Sequence, residues 1–92
     1  MAYTLDERGR EVVRALENPK YDWRTIDGIA EETGIDPFQV SQILRFLPNV
    51  VDIVQSSVPD KFGRPLFTTR NHYKKTQNVA SRFLSVFSDR IR

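Results

Sequence analysis

The sequence predicts a mainly helical domain that carries one small β-hairpin. Four stretches place apolar residues at helical spacing, and two short runs of β-branched residues flank a turn-rich loop between the third and the fourth. With 92 residues, 39% of them hydrophobic and 28% charged, the chain has the size and composition of one globular domain. We therefore expect residues 1–92 to form a single domain.

The first helix is predicted to begin at a capping box, Thr4-Leu5-Asp6-Glu7, with Thr4 as the N-cap. Asn18-Pro19 ends its pattern. Its apolar stripe consists of Leu5, Gly9, Val12, Val13 and Leu16. The connector Tyr21–Arg24 follows, which we expect to be extended, and its single tryptophan is typical of a packing anchor.

Residues 25–47 have the pattern of a helix-turn-helix within a three-helix core of residues 4–47. Thr25 is a suitable cap for a helix from Ile26 to Thr33, and Gly34 suits a left-handed turn after it. Asp36 and Pro37 then begin a third helix, which Pro48 ends. That helix has its apolar stripe at Val40, Ile43, Leu44 and Leu47. Phe38, Gln42 and Arg45 point the other way.

A β-hairpin over residues 50–69 and a long final helix over residues 70–92 complete the prediction. Val50–Ser56 and Leu66–Thr69 are the strands, and Pro59–Pro65 is the turn-rich loop between them. The final helix is predicted to be about 30 Å long. Its end carries an apolar patch of Phe83, Leu84, Phe87 and Ile91. The patch either pairs with a second chain or another domain, or is covered by the first helix.

A helix-turn-helix followed at once by a hairpin has the layout of a winged helix. The run from Trp23 to Leu44, together with Asp60–Arg70, resembles the winged helix-turn-helix superfamily of small bacterial and archaeal regulators. The resemblance implies the order helix, short strand, helix, helix, strand, wing, strand, helix. It further implies that residues 36–47 are the recognition helix, that Val58–Arg64 is the wing, and that the first and last helices form a homodimer.

The same resemblance implies that the partner is double-stranded DNA and that the protein regulates transcription. Gln39 and Gln42 suit adenine edges in the major groove, Arg45 suits guanine or phosphate, and Ser41 suits phosphate. Lys61 and Arg64 would follow the backbone or a minor groove. Three further cations extend the basic surface: Arg70, Lys74 and Lys75.

The distribution of charge supports an anionic partner only in part. Residues 1–54 carry a net charge of −4 and residues 55–92 a net charge of +6, which is either a binding surface or a solvated face. The recognition helix itself offers one cation beside Phe38 and Phe46. Phe38 either packs beneath the second helix or, with Phe46, forms a face that binds another protein. In a third hypothesis the chain is one module of a larger assembly.

Several chemistries are not expected from this sequence. There is no cysteine, and His72 is the one histidine. We therefore predict no metal site, no cofactor and no enzymatic activity. His72 itself is expected at the surface or at a boundary. Glu31-Glu32 is predicted to be a solvated pair on a helix. No apolar run is long enough for a membrane span, and the polar N-terminus is unlike a signal peptide, so a cytoplasmic location is expected.

Overall fold

The computed structural model describes residues 6–80 and 91–92, with side chains up to residue 75 and at residues 91 and 92. The described part is a small mixed α/β domain of helices and one antiparallel pair of strands. Its helices are α1 (Glu7–Leu16), α2 (Ile26–Thr33), α3 (Pro37–Phe46) and α4 (Arg70–Ala80), with a 3-10 turn at Leu47–Asn49. Its strands are β1 (Ile53–Gln55) and β2 (Phe67–Thr69). The prediction of a helical domain with a hairpin is confirmed at this level.

Helix α1 starts two residues later than the capping box predicts. Asp6 has an extended backbone and accepts a hydrogen bond from the Gly9 N–H at 2.8 Å, so Asp6 is the N-cap. The predicted cap at Thr4, which lies outside the described residues, is therefore wrong. A carboxylate at this position both accepts the free N–H and interacts favourably with the helix dipole, which explains the preference for Asp6.

The boundaries of α2 and α3 follow from local chemistry, as predicted. The Thr25 hydroxyl accepts the Gly28 N–H at 2.9 Å, and Gly34 ends α2 in the left-handed region with φ 75°. Asp36 accepts the Phe38 N–H at 3.0 Å, with Pro37 at the first helical position. These caps confirm two helices joined by a tight turn.

One apolar core joins the first three helices. Val40 and Leu44 of α3 and Leu47 of the 3-10 turn are buried, and Ile43 is partly buried beside them. They belong to the same cluster as residues of α1 and α2, namely Val12, Ala15, Leu16, Ile29 and Ala30. Burying one such aliphatic side chain contributes about 1.5–3 kcal/mol, so the stripe on α3 fixes which face of the helix turns outward.

The hairpin is shorter than predicted. In its antiparallel register Ile53 lies opposite Thr69, and Gln55 lies opposite Phe67. Residues 50–52 do not join β1, because the N–H groups of Val50 and Val51 both turn back to the Leu47 carbonyl oxygen, at 2.8 and 2.7 Å. Those two hydrogen bonds belong to the end of the helical segment, which therefore delays the strand.

The connector between α1 and α2 is extended, as predicted, and pairs with the hairpin. Arg24 and Phe67 exchange two backbone hydrogen bonds of 2.8 and 2.9 Å in an antiparallel bridge. On the other side, Trp23 forms a parallel bridge with Ile91, and its carbonyl oxygen accepts the Arg92 N–H at 3.1 Å. The connector therefore has hydrogen-bonded neighbours on both sides.

The predicted helix over residues 70–92 is wrong at its end. Ile91 is extended against Trp23, and the Arg92 carbonyl oxygen accepts a hydrogen bond from the Thr25 hydroxyl at 2.8 Å. A Cβ on Gly28 would collide with that oxygen, so glycine is required there for this close approach. These contacts keep Ile91 out of a helix, and the other three residues of the predicted apolar patch, Phe83, Leu84 and Phe87, lie outside the described residues.

A buried arginine joins α1, α2 and the connector. The Arg24 side chain is 2% exposed, and its Nη1 donates to the Ala15 carbonyl oxygen and to Glu32 Oε1, each at 2.6 Å. Nη2 donates to the Gly28 carbonyl oxygen at 3.2 Å, and the guanidinium lies 4.4 Å from the centre of the Tyr21 ring. Glu31 and Glu32 are both exposed on α2, as predicted for a solvated pair, and Glu32 in addition compensates this buried charge.

The start of α4 is fixed by a second set of buried polar contacts. The Thr69 hydroxyl accepts the His72 N–H at 3.1 Å and donates to Glu17, the residue that follows α1, at 2.6 Å. His72 is buried and its Nε2–H donates to the Tyr21 carbonyl oxygen at 2.7 Å, so its predicted place at the surface or a boundary is wrong. The histidine is buried because α4 packs on the connector, where Trp23 meets Tyr73 edge to face at 5.7 Å.

Replacement of the buried arginine tests its structural role. We expect Arg24→Ala to lower the free energy of unfolding by about 3 kcal/mol, because two buried carbonyl oxygens and Glu32 lose their donor. The exposed pair between Arg70 and Asp52 provides the control, since Arg70→Ala should cost less than about 1 kcal/mol. Urea denaturation of both variants measures the difference, and equal losses would contradict the role given to Arg24.

Candidate nucleic-acid interface

Four exposed side chains form the outward face of α3: Phe38, Gln42, Arg45 and Phe46. They lie opposite the buried stripe because successive residues advance by about 100° around a helix. Phe38 is 69% exposed and Phe46 is 61% exposed. The alternative in which Phe38 packs beneath α2 is therefore wrong. Sequence spacing was sufficient to predict this face but not the exposure of its aromatic rings.

The four polar residues assigned to α3 do not share one environment. Gln42 and Arg45 are exposed at the centre of the outward face, whereas Gln39 and Ser41 are half-buried on its flanks. Side chains at the centre reach furthest from the domain. The helix thus brings Gln42 and Arg45 together at the centre of its outward face and leaves Gln39 and Ser41 at the edges.

The hairpin loop, residues 58–64, is organised by Asp60. Its carboxylate accepts the N–H groups of Phe62 and Arg64 through Oδ1, at 2.9 and 2.7 Å, and the Arg64 Nε–H through Oδ2, at 2.7 Å. The backbone of Asp60 also pairs with Arg64 and with Gly63, which has φ 81°. The loop is thus a closed set of hydrogen bonds around one carboxylate.

This arrangement keeps Asp60 ionised. Burial of the carboxylate raises its pKa, but the hydrogen bonds from the Arg64 backbone and side chain and from the Phe62 N–H lower it, as does the charge of Arg64. The lowering contributions together are larger, so the pKa of Asp60 lies below its ordinary value. At neutral pH the loop is therefore held by charge-assisted hydrogen bonds.

Arg64 places the hairpin loop beside the start of α3. Its Nη1 lies 3.6 Å from Asp27 of α2, and its side chain lines a shallow depression together with Asp36 and Pro37. The loop and the first turn of α3 therefore face the same side of the domain. Arg64 is nevertheless not a free cation, since two carboxylates, Asp60 and Asp27, compensate its charge.

The remaining predicted cations differ in how far they are neutralised. Arg70, at the first position of α4, donates to Asp52 at 2.8 Å. Lys74 and Lys75, further along α4, are exposed, as is Lys61 in the hairpin loop. Within the described part of the chain, these lysines and Arg45 form no ion pair. Among the predicted site residues, these four therefore carry the positive charge that no carboxylate of the described chain neutralises.

The sequence-based list of site residues omitted Phe62. Its ring is 71% exposed, and the Lys61 ammonium and the Arg64 guanidinium lie 5.3 and 5.1 Å from its centre. The sequence signal was present as an aromatic residue between two cations in a turn, within the run Asp60–Arg64. That combination is typical of surfaces on which nucleic-acid bases stack.

No family model matches the chain, and no match was found among the curated proteins or the solved structures. Across residues 6–80 and 91–92, no cluster of three or more histidines, aspartates or glutamates is placed to hold a metal ion. None of the helices in that part of the chain combines the length and the hydropathy of a membrane span.

The pKa of Asp60 predicts an acid-induced loosening of the hairpin loop. Because the folded-state pKa is lowered, the stabilisation by this carboxylate is complete above the unfolded pKa of about 3.9 and is lost as the pH falls through the folded-state value. Amide NMR signals of Phe62 and Arg64 should therefore shift at acidic pH in the native protein. Asp60→Asn should remove this transition, and its persistence in that variant would assign the transition to another acid.

Proposed function

We propose that the chain is a winged-helix domain that binds double-stranded DNA and regulates transcription. One observation carries this proposal: the hairpin loop lies beside the first turn of α3, joined to α2 through Arg64 and Asp27. A helix and an adjacent loop on one side of a small domain match the way winged helices approach a duplex. The extended connector, which pairs with β2 through Arg24 and Phe67, supports the same order of elements.

In this proposal the outward face of α3 lies toward the major groove. The groove, about 12 Å wide, admits one helix, and the amide of Gln42 suits the paired donor and acceptor of adenine. Arg45, which has no ion pair among the described residues, contacts guanine or a phosphate. Gln39 and Ser41, half-buried on the flanks, contact the edges of the site, with the Ser41 hydroxyl on a phosphate.

Phosphate contacts come from the hairpin loop and from α4. Lys61, Lys74 and Lys75 are exposed and contribute most of the free charge. Arg64 and Arg70 extend the same surface, but their carboxylate partners reduce what each adds to the affinity. The proposal includes a homodimer formed through the first and last helices, with Phe83, Leu84 and Phe87 at its interface.

The salt dependence of DNA binding tests the proposal. Lys61→Ala should weaken binding to duplexes of any sequence and reduce the slope of log affinity against log salt by about 0.9, because one phosphate contact is lost. The matched control is Lys20→Ala, which removes an exposed lysine between α1 and the connector, outside the proposed surface. Electrophoretic mobility shifts on mixed duplex DNA at several salt concentrations give both slopes, and absence of any shift at about 50 mM salt rejects DNA binding.

A second candidate function is favoured by the exposed aromatic rings of α3. Phe38 and Phe46 lie two turns apart on one face with Gln42 between them, and exposed aromatic residues are typical of the centres of protein interfaces. Because that face carries Arg45 and no acidic residue, the partner would offer an apolar pocket with an acidic rim. In this function the domain binds a protein through α3 and the last helix.

Salt separates this second function from DNA binding. Immobilised protein should retain a partner from cell extract at about 0.5 M salt, where phosphate contacts are strongly screened. The double variant Phe38→Ala/Phe46→Ala should lose the partner, while Val50→Ala, which trims an exposed apolar residue outside α3, should retain it. Retention of the partner by the double variant would exclude docking through these two rings.

A further inference from the structure

The ring of Phe62 at the tip of the hairpin loop lies outside the apolar core formed by the described residues. It is 71% exposed, and the core cluster does not include it. Two cations, Lys61 and Arg64, lie over its ring, and its backbone N–H donates to the Asp60 carboxylate. The ring is therefore accessible to a partner, and its combination with two flanking cations suits a partner that offers both a stacking surface and negative charge.

We propose that Phe62 is a wedge that enters a base step of the bound duplex from the minor groove. The inference rests on the proposed DNA binding and specifies the DNA it prefers. Apolar side chains that enter the minor groove partly unstack a step and kink the duplex. Phe62 has no hydrogen-bonding group on its ring, so its contribution is stacking, which is independent of base identity.

The hairpin loop is preorganised for this role. Asp60 holds the backbone on both sides of the ring, through the N–H of Phe62 and the N–H of Arg64. Gly63, with φ 81°, makes the turn directly after the ring. A fixed loop loses little conformational entropy when its tip inserts, so more of the stacking energy is available for binding.

The two cations beside the ring fit the same partner. The Lys61 ammonium and the Arg64 guanidinium lie within 5.3 Å of the ring centre. When the ring stacks on a base, both groups lie close to the sugar-phosphate backbone at that step, where positive charge is favourable. A purely apolar protein pocket would instead have to desolvate both charges, which is costly.

The location of the loop agrees with a minor-groove contact. Arg64 borders the depression that Asp36 and Pro37 of α3 also line. If α3 occupies a major groove, an element next to its first turn lies over the backbone and the adjacent minor groove. The preferred DNA is therefore a duplex with a step that unstacks readily, such as a pyrimidine–purine step or a step next to an unpaired base.

A comparison of two short duplexes tests the wedge. One is fully paired, and the other has the same sequence with one unpaired nucleotide at its centre, which reduces the energy needed to unstack the step. The wild-type protein should bind the second duplex about tenfold more tightly in a fluorescence anisotropy titration. Phe62→Ala should lose this preference while its salt dependence stays unchanged, because the lysines still contact phosphates.

Two variants complete the experiment. Phe62→Trp should keep the preference, since it keeps a stacking ring, and Val50→Ala, which trims an exposed apolar residue outside α3 and the hairpin loop, should also keep it. A preference that persists in Phe62→Ala, or a wild-type protein that binds both duplexes equally, overturns the wedge and leaves DNA binding intact. Absence of binding to either duplex by the wild type overturns both proposals.

Discussion

The structure depends on the hydrogen bonds and the ion pair of Arg24. The side chain of this residue joins the end of α1 to α2, and its backbone exchanges two hydrogen bonds with Phe67 of β2. A buried guanidinium is costly unless its charge is paired, and Glu32 provides the pairing at 2.6 Å. One residue thus sets the position of the hairpin on the helical core, and with it the position of the loop that lies beside α3.

Several arginines of this domain are paired with carboxylates, whereas the exposed lysines of the candidate site are not. Four arginines form such pairs in the described part of the chain, as the planar guanidinium favours: Arg24 with Glu32, Arg64 with Asp60 and Asp27, Arg70 with Asp52, and Arg92 with Glu31. The exposed lysines of the hairpin loop and α4 have no such pairing in the described part of the chain. The net charge of +6 on residues 55–92 therefore overstates the positive charge that is free to meet a partner, because Arg64 and Arg70 are already paired.

Sequence reasoning succeeded where the determining chemistry is local. The caps of α2 and α3, at Thr25 and Asp36, bond to backbone groups within three residues, so short motifs predict them. It failed where a distant contact decides the outcome. Ile91 is extended because of Trp23, and the apolar periodicity of the last helix contains no information about that contact. The burial of Arg24 escaped prediction for the same reason, since hydrophobic patterns identify buried apolar residues and not a paired cation.

In the candidate site, too, features with local causes were predictable and features with distant causes were not. The outward face of α3 was predictable because its buried stripe fixes the opposite side, whereas the pairing of Arg64 with Asp27 depends on two distant segments. Under the proposed function, the four site cations without an ion pair are Lys61, Lys74, Lys75 and Arg45. They would give DNA binding only limited affinity for phosphates and a shallow dependence of that affinity on salt. Stacking by Phe62 would add affinity without adding charge. In that proposal the ring would give the domain a contact with DNA that salt does not screen, beside arginines such as Arg64 and Arg70 whose charge is already paired with carboxylates.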